Sequence, residues 1–253
     1  MQMALAMLEQ HERGLKFNNL SNALSPRSLL EAYDAQDYFH KLSNRGGLGG
    51  YKIALTSKVQ QELTGVKHPL YGGIFLNEIR TGPTLLAFEN RQSLGLEFEL
   101  AVTLAQDVHE GHQVFDESEI LNIIDKVYPA FEIIIDRNAD YTDLDAFSMV
   151  VDNVWCGGII LGEPLQSWKE MNLNKLEATL KWNENPPEKA FVGDADPLRS
   201  LWWVINALIG RNKKIPKGSV IITGSVFRTR NVHVGDQVHY SIGSCSEVSV
   251  NIV

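Results

Sequence analysis

The stretch LGLEFELAVTLA, residues 94–105, alternates like a β-strand but carries two carboxylates, Glu97 and Glu99, in its middle. Successive side chains of a strand point to opposite faces, so the large apolar residues form one row and both glutamates point to the other face. Neighbours on one face lie roughly 6 to 7 Å apart at Cα, a spacing at which two carboxylates can reach one cation. Two interpretations stay open: an antiparallel strand with one hydrated face, or a cation site.

A third carboxylate, Glu132, lies inside the apolar run AFEIIID, residues 130–136. A carboxylate among such neighbours is costly to bury unless a cation, a metal or hydrogen-bond donors meet it. An ion pair with Arg137 is the simpler alternative. Three carboxylates from two extended segments, with no nearby histidine or cysteine, would suit a hard ion such as Mg²⁺ or Mn²⁺.

The composition indicates an ordinary globular protein that binds a small molecule or another subunit. The chain has 253 residues, of which 44% are hydrophobic and 21% are charged. Its net charge of −8, without any run of lysine and arginine, argues against nucleic-acid binding. An anionic substrate would therefore need a local positive centre, such as a metal or a placed lysine or arginine.

The cysteines and the N-terminus predict a cytoplasmic protein that does not enter membranes. Cys156 and Cys245 are the only cysteines and have neither a CxxC nor a Cys/His ligand spacing, so no disulfide framework or zinc site is indicated. The first residues lack a basic region before their short apolar stretch, which favours an amphipathic helix over a signal peptide. No apolar run approaches the ~20 residues that span a bilayer.

Short extended stretches dominate from residue 51 onward and do not alternate regularly with helices, which disfavours a doubly wound parallel sheet. Periodicity predicts helices over 3–14, 26–42, 117–127 and 197–214, the second of which begins at an N-cap Ser25 followed by Pro26. The glycine run NRGGLGG, residues 44–50, follows a helix and precedes a strand. This order is the reverse of a phosphate-binding loop, so nucleotide binding is disfavoured.

Five segments in order resemble one family: GYKIALTS (50–57), Glu97-Phe98-Glu99, PAFEIIIDR (129–137), VDNVWCGGIILG (151–162) and GSVIITGSV (218–226). Together they are similar to the fumarylacetoacetate hydrolase superfamily, within it to the branch of 2-keto-4-pentenoate hydratases and 4-oxalocrotonate decarboxylases. The resemblance runs from about residue 25 to the C-terminus. TGSV, residues 223–226, stands where hydrolases of the superfamily usually carry TGTP, which favours the hydratase side.

The resemblance implies an α+β fold, the β-rich fumarylacetoacetase C-terminal-like fold (a mixed β-roll), with a helical N-terminal segment. It implies a helical segment over residues 1–50 and a β-rich catalytic domain over 51–253, which may also count as a single domain. It further implies a small-molecule 2-keto acid as substrate and a homo-oligomer as the assembly.

Carried over residue by residue, the resemblance implies that Glu97, Glu99 and Glu132 hold Mg²⁺ or Mn²⁺ and that Lys52 is the acid/base. Near a metal or in an apolar pocket, the pKa of Lys52 should fall toward neutrality. Four further residues are candidates for substrate binding: Asp152, Asn153, Ser225 and Arg137. The alternatives are an Asx cap or turn for the Asp-Asn pair, a loop-shaping role for Ser225, and an ion pair of Arg137 with Asp136 or Glu132.

The implied activity is a metal-dependent hydratase that acts on a 2-hydroxy-2,4-dienoate in aromatic catabolism. A 4-oxalocrotonate-type decarboxylase is the nearest alternative, then an acylpyruvate-type hydrolase, then a non-catalytic family member. The chain departs from the branch pattern at Val154, Trp155 and Cys156, where small polar residues are usual, and at Thr142, where a lysine usually follows the aromatic. Trp155 would fill space and remove hydrogen-bonding capacity if it faced the pocket, so these departures bear on the substrate and on activity.

Overall fold

The computed structural model of the chain describes residues 1–87, 93–109, 115–244 and 246–253; Cys245 lies outside these ranges. The α-helices within them are α1 (Gln2–Glu12), α2 (Leu29–Leu42), α3 (Lys58–Thr64), α4 (Ala146–Val151) and α5 (Pro197–Ile209). The strands are β1 (Leu48–Ala54), β2 (Leu70–Phe75), β3 (Ile79–Thr81), β4 (Thr84–Leu86), β5 (Gly95–Leu104), β6 (Ile124–Ile134), β7 (Cys156–Leu161), β8 (Glu177–Trp182), β9 (Glu188–Phe191), β10 (Val220–Ser225), β11 (Arg230–Asn231), β12 (Gln237–Ile242) and β13 (Ser246–Ile252).

In the part of the chain that the structure describes, these strands form two mixed sheets. The larger has the order β2-β1-β10-β5-β6-β7-β3, with β11 paired to the start of β5, and the smaller has the order β4-β13-β12-β8-β9. The long strands β5 and β6 are antiparallel neighbours, whereas β1 and β10 are parallel. This mixed α+β architecture is the predicted fold class.

Both faces of β5 are covered, which excludes the hydrated face, one of the two interpretations that the strand pattern left open. The apolar row of β5 packs toward the smaller sheet, where the Phe98 and Tyr240 rings lie 5.8 Å apart. The opposite row lies inside a curl of the larger sheet, where Ala101 packs with Ile159 and Ile222 in a small apolar cluster. The curl also brings β2 against β7, five positions away in the strand order. Strand alternation cannot reveal this, because curvature is a property of the whole sheet.

The predicted helix over 117–127 is wrong. Glu117–Ile123 forms a 3₁₀ helix, and β6 begins at Ile124. Ile120, Ile124 and Val127 have helical spacing and are all buried, but the last two reach the core as residues of a strand. Pairing with β5, which sets Val127 opposite Val102, outweighs the local periodicity.

The second helix begins later than predicted. Leu29 is its first residue and Ser28 its N-cap, with Ser28 Oγ accepting a hydrogen bond from the Glu31 amide at 3.2 Å. The signal was present in the sequence, because a serine followed three residues later by glutamate is typical of a capping box. The predicted cap at Ser25 is therefore wrong.

The N-terminal helices pack on a later part of the chain. Helices α1 and α2 contact each other and α4, while α5 packs against β10. The first strand begins at Leu48, close to the predicted boundary at residue 50, and the division into two domains stays a prediction. No helix of the described residues is both long and apolar enough to cross a membrane.

Candidate metal and acid/base site

The curled sheet brings three glutamates together. Glu97 lies directly opposite Glu132 in the β5–β6 ladder, and Glu99 is two residues further along the same face of β5. One carboxylate oxygen from each lies within 4.8 Å of the other two. Glu99 and Glu132 are fully buried and Glu97 is half-buried. Strand register therefore builds a compact carboxylate cluster inside the roll.

Lys52 reaches this cluster from β1, which is separated from β5 by β10. Its ammonium Nζ lies 2.9 Å from Glu132 Oε1, and the Lys52 side chain is only 2% exposed. The partner of Glu132 is thus Lys52, and the predicted alternative of a pair with Arg137 is wrong. A buried lysine beside three carboxylates provides one positive charge against as many as three negative charges.

The carboxylate cluster fits a hard divalent cation. Three buried carboxylate oxygens have no hydrogen-bond partner among the described residues: Glu99 Oε1 and both oxygens of Glu132. The contact between Lys52 and Glu132 is an ion pair that lacks the alignment of a hydrogen bond. Buried polar atoms without a partner are rare because they lose the hydration they had in water. Convergent carboxylate oxygens without sulfur or imidazole are the donor set that Mg²⁺ and Mn²⁺ prefer.

The electrostatics show the cost of holding these charges together without a metal. Burial, with the neighbouring charges of Glu132 and Glu97, raises the pKa of Glu99 well above its ordinary value. Burial also raises the pKa of Glu132 to about 8, although the Lys52 charge opposes this rise. In the metal-free site, Glu132 therefore retains its proton up to near-neutral pH, and Glu99 retains its proton above its ordinary range.

The pKa of Lys52 moves in the direction opposite to the predicted one. Burial by itself lowers this pKa, but the carboxylates of Glu132 and Glu97 outweigh burial and raise it above its ordinary value. The prediction considered a metal and an apolar pocket but not an ion pair. In the metal-free geometry Lys52 is an ammonium.

Two hydrogen-bond donors orient the glutamates, one within β10 and one in the segment that follows it. The Gly224 amide donates to Glu99 Oε2 at 2.6 Å, and Thr229 Oγ1 donates to Glu97 Oε1 at 2.5 Å. Gly224 has a φ of +108°, a backbone conformation that favours glycine. Sequence reasoning missed both residues; the TGSV segment marked the loop, but nothing in the pattern indicated which groups would face the carboxylates.

Ser225 lies at the cavity, and its hydroxyl already has partners. Its Oγ accepts from the Phe98 amide at 2.7 Å and donates to the Phe227 carbonyl at 2.8 Å. These bonds lie where the register between β10 and β5 shifts. The geometry thus favours the loop-shaping alternative, with Ser225 still on the cavity wall.

Arg137 and Asp152 form a buried pair with each other. Arg137 Nη2 donates to Asp152 Oδ2 at 2.6 Å, and His11 Nε2 contacts the other oxygen of the same carboxylate. Arg137 also donates to the Leu15 carbonyl at 3.1 Å. The network fastens the N-terminal segment to the turn before β7, and the geometry does not support the substrate contact predicted for these two residues.

Asn153 joins the same turn to β2. Its Oδ1 accepts from the Gly73 amide at 2.7 Å, and its Nδ2 donates to the Gly73 carbonyl at 2.8 Å. His40 Nε2 lies 2.7 Å from the same Oδ1, and because burial lowers the pKa of His40 to about 4, the neutral ring donates this bond. The amide group is fully engaged in the scaffold, so substrate binding by Asn153 is not supported either.

The turn that follows Asp152 has a left-handed backbone. Asn153, Val154 and Trp155 have φ values of 55°, 52° and 58°, a conformation that is unfavourable for the β-branched Val154 in particular. It places Trp155 beside Tyr141, with ring centroids 5.6 Å apart, and both residues line the cavity. Such strain persists only where the surrounding structure holds it.

A cavity of about 1320 Å³ lies over the carboxylate cluster. Lys52 and Glu97 belong to its floor, and Trp155 and Tyr141 form part of an aromatic wall. It is larger than the roughly 300 to 1,000 Å³ typical of small-molecule sites. A buried acid/base, a carboxylate cluster and an adjoining cavity can bind a chelating anion through a metal and transfer a proton to or from it.

Comparisons with known proteins identify relatives by sequence and by fold. No family model matches the sequence. The chain is 28% identical over 238 residues to 2-oxo-hept-4-ene-1,7-dioate hydratase of Escherichia coli, covering 88% of the chain and 86% of the relative. It is 26% identical over 257 residues to 4-oxalocrotonate decarboxylase of Pseudomonas putida, covering 98% and 93%.

Solved structures share the fold. The 4-oxalocrotonate decarboxylase from Pseudomonas putida G7, complexed with magnesium and adipate, superposes with a TM-score of 0.86 at 24% identity, covering 100% of the chain and 98% of that protein. Fumarylpyruvate hydrolase from Pseudomonas aeruginosa, in complex with Mn²⁺ and pyruvate, gives a TM-score of 0.60 at 12% identity over 80% and 88%. The chain is therefore similar in sequence to 2-keto-4-pentenoate hydratases and 4-oxalocrotonate decarboxylases, and it shares its fold with solved members of the fumarylacetoacetate hydrolase family.

Proposed function

We propose that the protein is a divalent-metal-dependent lyase that adds water to a 2-hydroxy-2,4-dienoate to give a 4-hydroxy-2-oxo acid. The observation that carries the proposal is the convergence of Glu97, Glu99 and Glu132 beside the buried Lys52 at the floor of a large cavity. Its relatives include hydratases that are named for substrates of this type. Mg²⁺ or Mn²⁺ is the proposed cofactor.

In this proposal the three glutamates hold the ion. When bound, the ion supplies positive charge to the carboxylate and 2-oxygen of the substrate and stabilises the negative charge that develops on that oxygen. The Gly224 amide and the Thr229 hydroxyl keep Glu99 and Glu97 in place, so the site is ordered before the ligands arrive.

Lys52 moves the proton. As an ammonium it can donate a proton from Nζ to the far carbon of the dienol, and the amine that results can accept one from the 2-hydroxyl. Water adds to the resulting unsaturated ketone, so one dienoate and one water give one hydroxy-oxo acid.

The other candidate functions follow in order: a decarboxylase, a hydrolase and a non-catalytic family member. A decarboxylase would use the same floor, and a decarboxylase relative spans 98% of the chain, so it is the second candidate. An acylpyruvate hydrolase needs a base that positions water, and TGSV at residues 223–226, where hydrolases usually carry TGTP, counts against it. A non-catalytic member would not require a buried Lys52 beside three glutamates.

The direct test is the ultraviolet absorbance of 2-hydroxypenta-2,4-dienoate with metal-stripped protein, before and after addition of Mg²⁺ or Mn²⁺. We expect metal-dependent loss of the dienol band with 4-hydroxy-2-oxopentanoate as the product. The seven-carbon 2-hydroxyhepta-2,4-dienedioate is tested in parallel. If both dienoates stay intact while 4-oxalocrotonate releases carbon dioxide, the hydratase proposal is wrong and the decarboxylase takes its place.

A further inference from the structure

Tyr141 and Asp136 form a hydrogen-bonded pair at the side of the cavity. The Tyr141 hydroxyl donates to Asp136 Oδ2 at 2.8 Å. The other oxygen of Asp136 accepts from Ser93 Oγ at 2.6 Å and from the Asn138 amide at 3.0 Å. The Asp136 residue is only 9% exposed. Three donors therefore hold this buried carboxylate in its orientation toward the phenol.

The phenol itself is open to the cavity. Tyr141 is exposed and lines the cavity beside Trp155. Because its own proton is donated to Asp136, the Tyr141 oxygen offers the cavity its acceptor lone pairs. None of the described residues donates a hydrogen bond to this oxygen. The oxygen is therefore suited to accept a hydrogen bond from a water molecule.

The pair lies within electrostatic reach of the carboxylate cluster. Burial, the charge of Asp136 and, to a smaller extent, the charge of Glu97 raise the pKa of Tyr141 above its ordinary value. The phenol therefore keeps its proton at neutral pH. Glu97 and Tyr141 also line the same cavity, together with Ile134, which lies midway between Glu132 and Asp136 in the chain.

The proposed reaction needs a group that delivers water. Addition to the unsaturated ketone requires a water molecule that loses a proton as its oxygen bonds to carbon. Of the described residues along the cavity, His68, Asp194 and Asp196 can also take a proton, but all three are exposed. Asp136 differs from them because it is buried and its contact with the cavity passes through the phenol.

We infer that Tyr141 binds the water that adds to the substrate, and that Asp136, acting through the phenol, takes the proton that this water loses. The inference rests on the proposed function and deepens it, because it names the groups that deliver the water. Tyr141 touches the reacting water and is a catalytic residue in this step. Asp136 is a positioning residue, since it acts through Tyr141.

The step balances in atoms and charge. The water oxygen bonds to C4 of the unsaturated ketone, and the electron pair of the C3–C4 double bond moves toward the 2-oxygen. The water passes one proton to Tyr141 Oη as the phenolic proton moves to Asp136 Oδ2. C3 then takes a proton from Lys52. The proton on Asp136 returns to the water of the cavity, from which Lys52 recovers one.

Tyr141→Phe tests the inference, because it removes the oxygen and keeps the ring in the cavity wall. With 2-hydroxypenta-2,4-dienoate and Mg²⁺, the variant should form 4-hydroxy-2-oxopentanoate at least about 100-fold more slowly, the usual contribution of a positioned acid/base. The unsaturated ketone should accumulate instead, which proton NMR distinguishes from the product. Tyr38→Phe, at an exposed tyrosine of α2 that does not line the cavity, is the control.

Two readouts separate water delivery from the rest of the site. Exchange of the C3 protons of 2-oxopentanoate in D₂O needs the metal and Lys52 but no added water, so Tyr141→Phe should leave it unchanged. Calorimetry should likewise show unchanged Mg²⁺ affinity. Both results are expected because Tyr141 contacts neither Lys52 nor the three glutamates through a hydrogen bond.

Asp136→Asn should have the same selective effect, because a neutral amide cannot take the proton from the phenol. Hydration should slow at least about 100-fold with KM for the dienoate unchanged, while the C3 exchange is kept. A merely structural role of Asp136 would instead lower hydration and exchange together, and that result would remove Asp136 from the step.

The other outcomes are equally decisive. Hydration at the full rate by Tyr141→Phe overturns the inference and leaves the proposed function intact. Equal loss of hydration and C3 exchange means that the phenol shapes the site, and this also overturns the inference. If the unaltered protein does not hydrate the dienoate, the proposed function is contradicted and the step with it, so the two failures are distinguishable.

Discussion

Glu132 has the most demanding position of the three glutamates, because it is fully buried, pairs with Lys52 and has no aligned hydrogen-bond donor. Its alternation with Phe131 and Ile133 in β6 sends it into the curl of the sheet, while those neighbours enter the main core. A buried carboxylate of this kind destabilises the fold unless a cation compensates it. Replacing Glu132 therefore distinguishes its role in metal binding from its role in the stability of the fold.

Glu132→Gln should lower Mg²⁺ affinity at least about 100-fold and abolish turnover, because the site loses a ligand charge. The fold should persist, since the amide keeps the shape of the side chain and removes a raised-pKa carboxyl group. Calorimetry with Mg²⁺ and far-ultraviolet circular dichroism measure the two effects, and the exposed Glu12→Gln serves as control. Unchanged Mg²⁺ affinity would show that Glu132 is not a ligand.

Lys52→Met should lower kcat at least about 100-fold, the usual contribution of a positioned acid/base. Mg²⁺ affinity should be kept or increased, because the ammonium no longer competes with the metal for Glu132. Single-turnover kinetics on the dienoate and a parallel metal titration distinguish these effects, with the exposed Lys16→Met as control. A variant with full kcat would remove Lys52 from the proposed mechanism.

At the scale of elements, the turn between α4 and β7 decides where Trp155 stands. The left-handed turn at 153–155 is held from two sides, by Arg137 and His11 on Asp152 and by the amide bonds of Asn153 to β2. Without those contacts, nothing in the local sequence would favour a left-handed valine. Helix α1 therefore helps to hold Trp155 in the cavity wall, through the contact of His11 with Asp152, although no residue of α1 itself lines the cavity.

Asn153→Ala should destabilise the protein by about 2 to 4 kcal/mol, because it leaves the buried amide and carbonyl of Gly73 without their side-chain partners. Urea unfolding measures this change. Asn138→Ala is a matched control, since Asn138 also has a positive φ of 58° but an exposed side chain. If Asn153→Ala instead kept its stability and raised KM, Asn153 would be a substrate contact, as the sequence alone suggested.

For the molecule as a whole, the carboxylate cluster should make stability depend on pH in an unusual direction. The raised pKa values of Glu132 and Glu99 mean that the folded, metal-free protein binds more protons than the unfolded chain up to about pH 8. Stability then falls as pH rises. The lowered pKa of His40 has the opposite effect, but only between about pH 4 and 6.5.

Between pH 6.5 and 8, the free energy of unfolding of the metal-stripped protein should therefore fall as pH rises. The fall is up to about 1.4 kcal/mol per pH unit for each proton that the folded protein binds in excess of the unfolded chain. Mg²⁺ should restore stability most at the upper end, because binding requires deprotonated carboxylates. Denaturant unfolding at several pH values measures both effects, and Glu132→Gln should flatten the slope. A stability that rises with pH over this interval would contradict the electrostatics of the buried cluster.

Several features follow from local sequence. The alternation in residues 94–105 is sufficient to place Glu97 and Glu99 on one face, and Glu132 stands out because it interrupts an apolar strand. The order of the family-like segments was sufficient to predict the α+β roll. Side-chain alternation and order along the chain are short-range properties, so they can be read without coordinates.

Other features depend on contacts between distant segments. Only the curl of the larger sheet turns the glutamate face inward, brings Lys52 from β1 to Glu132 and raises the pKa of that lysine. Only tertiary packing pairs Arg137 with Asp152 and aligns Thr229 with Glu97. The sequence by itself determined which residues carry charge and which face of a strand they occupy; the tertiary structure decided which charges meet, because strand pairing and sheet curvature join residues that are far apart in the chain.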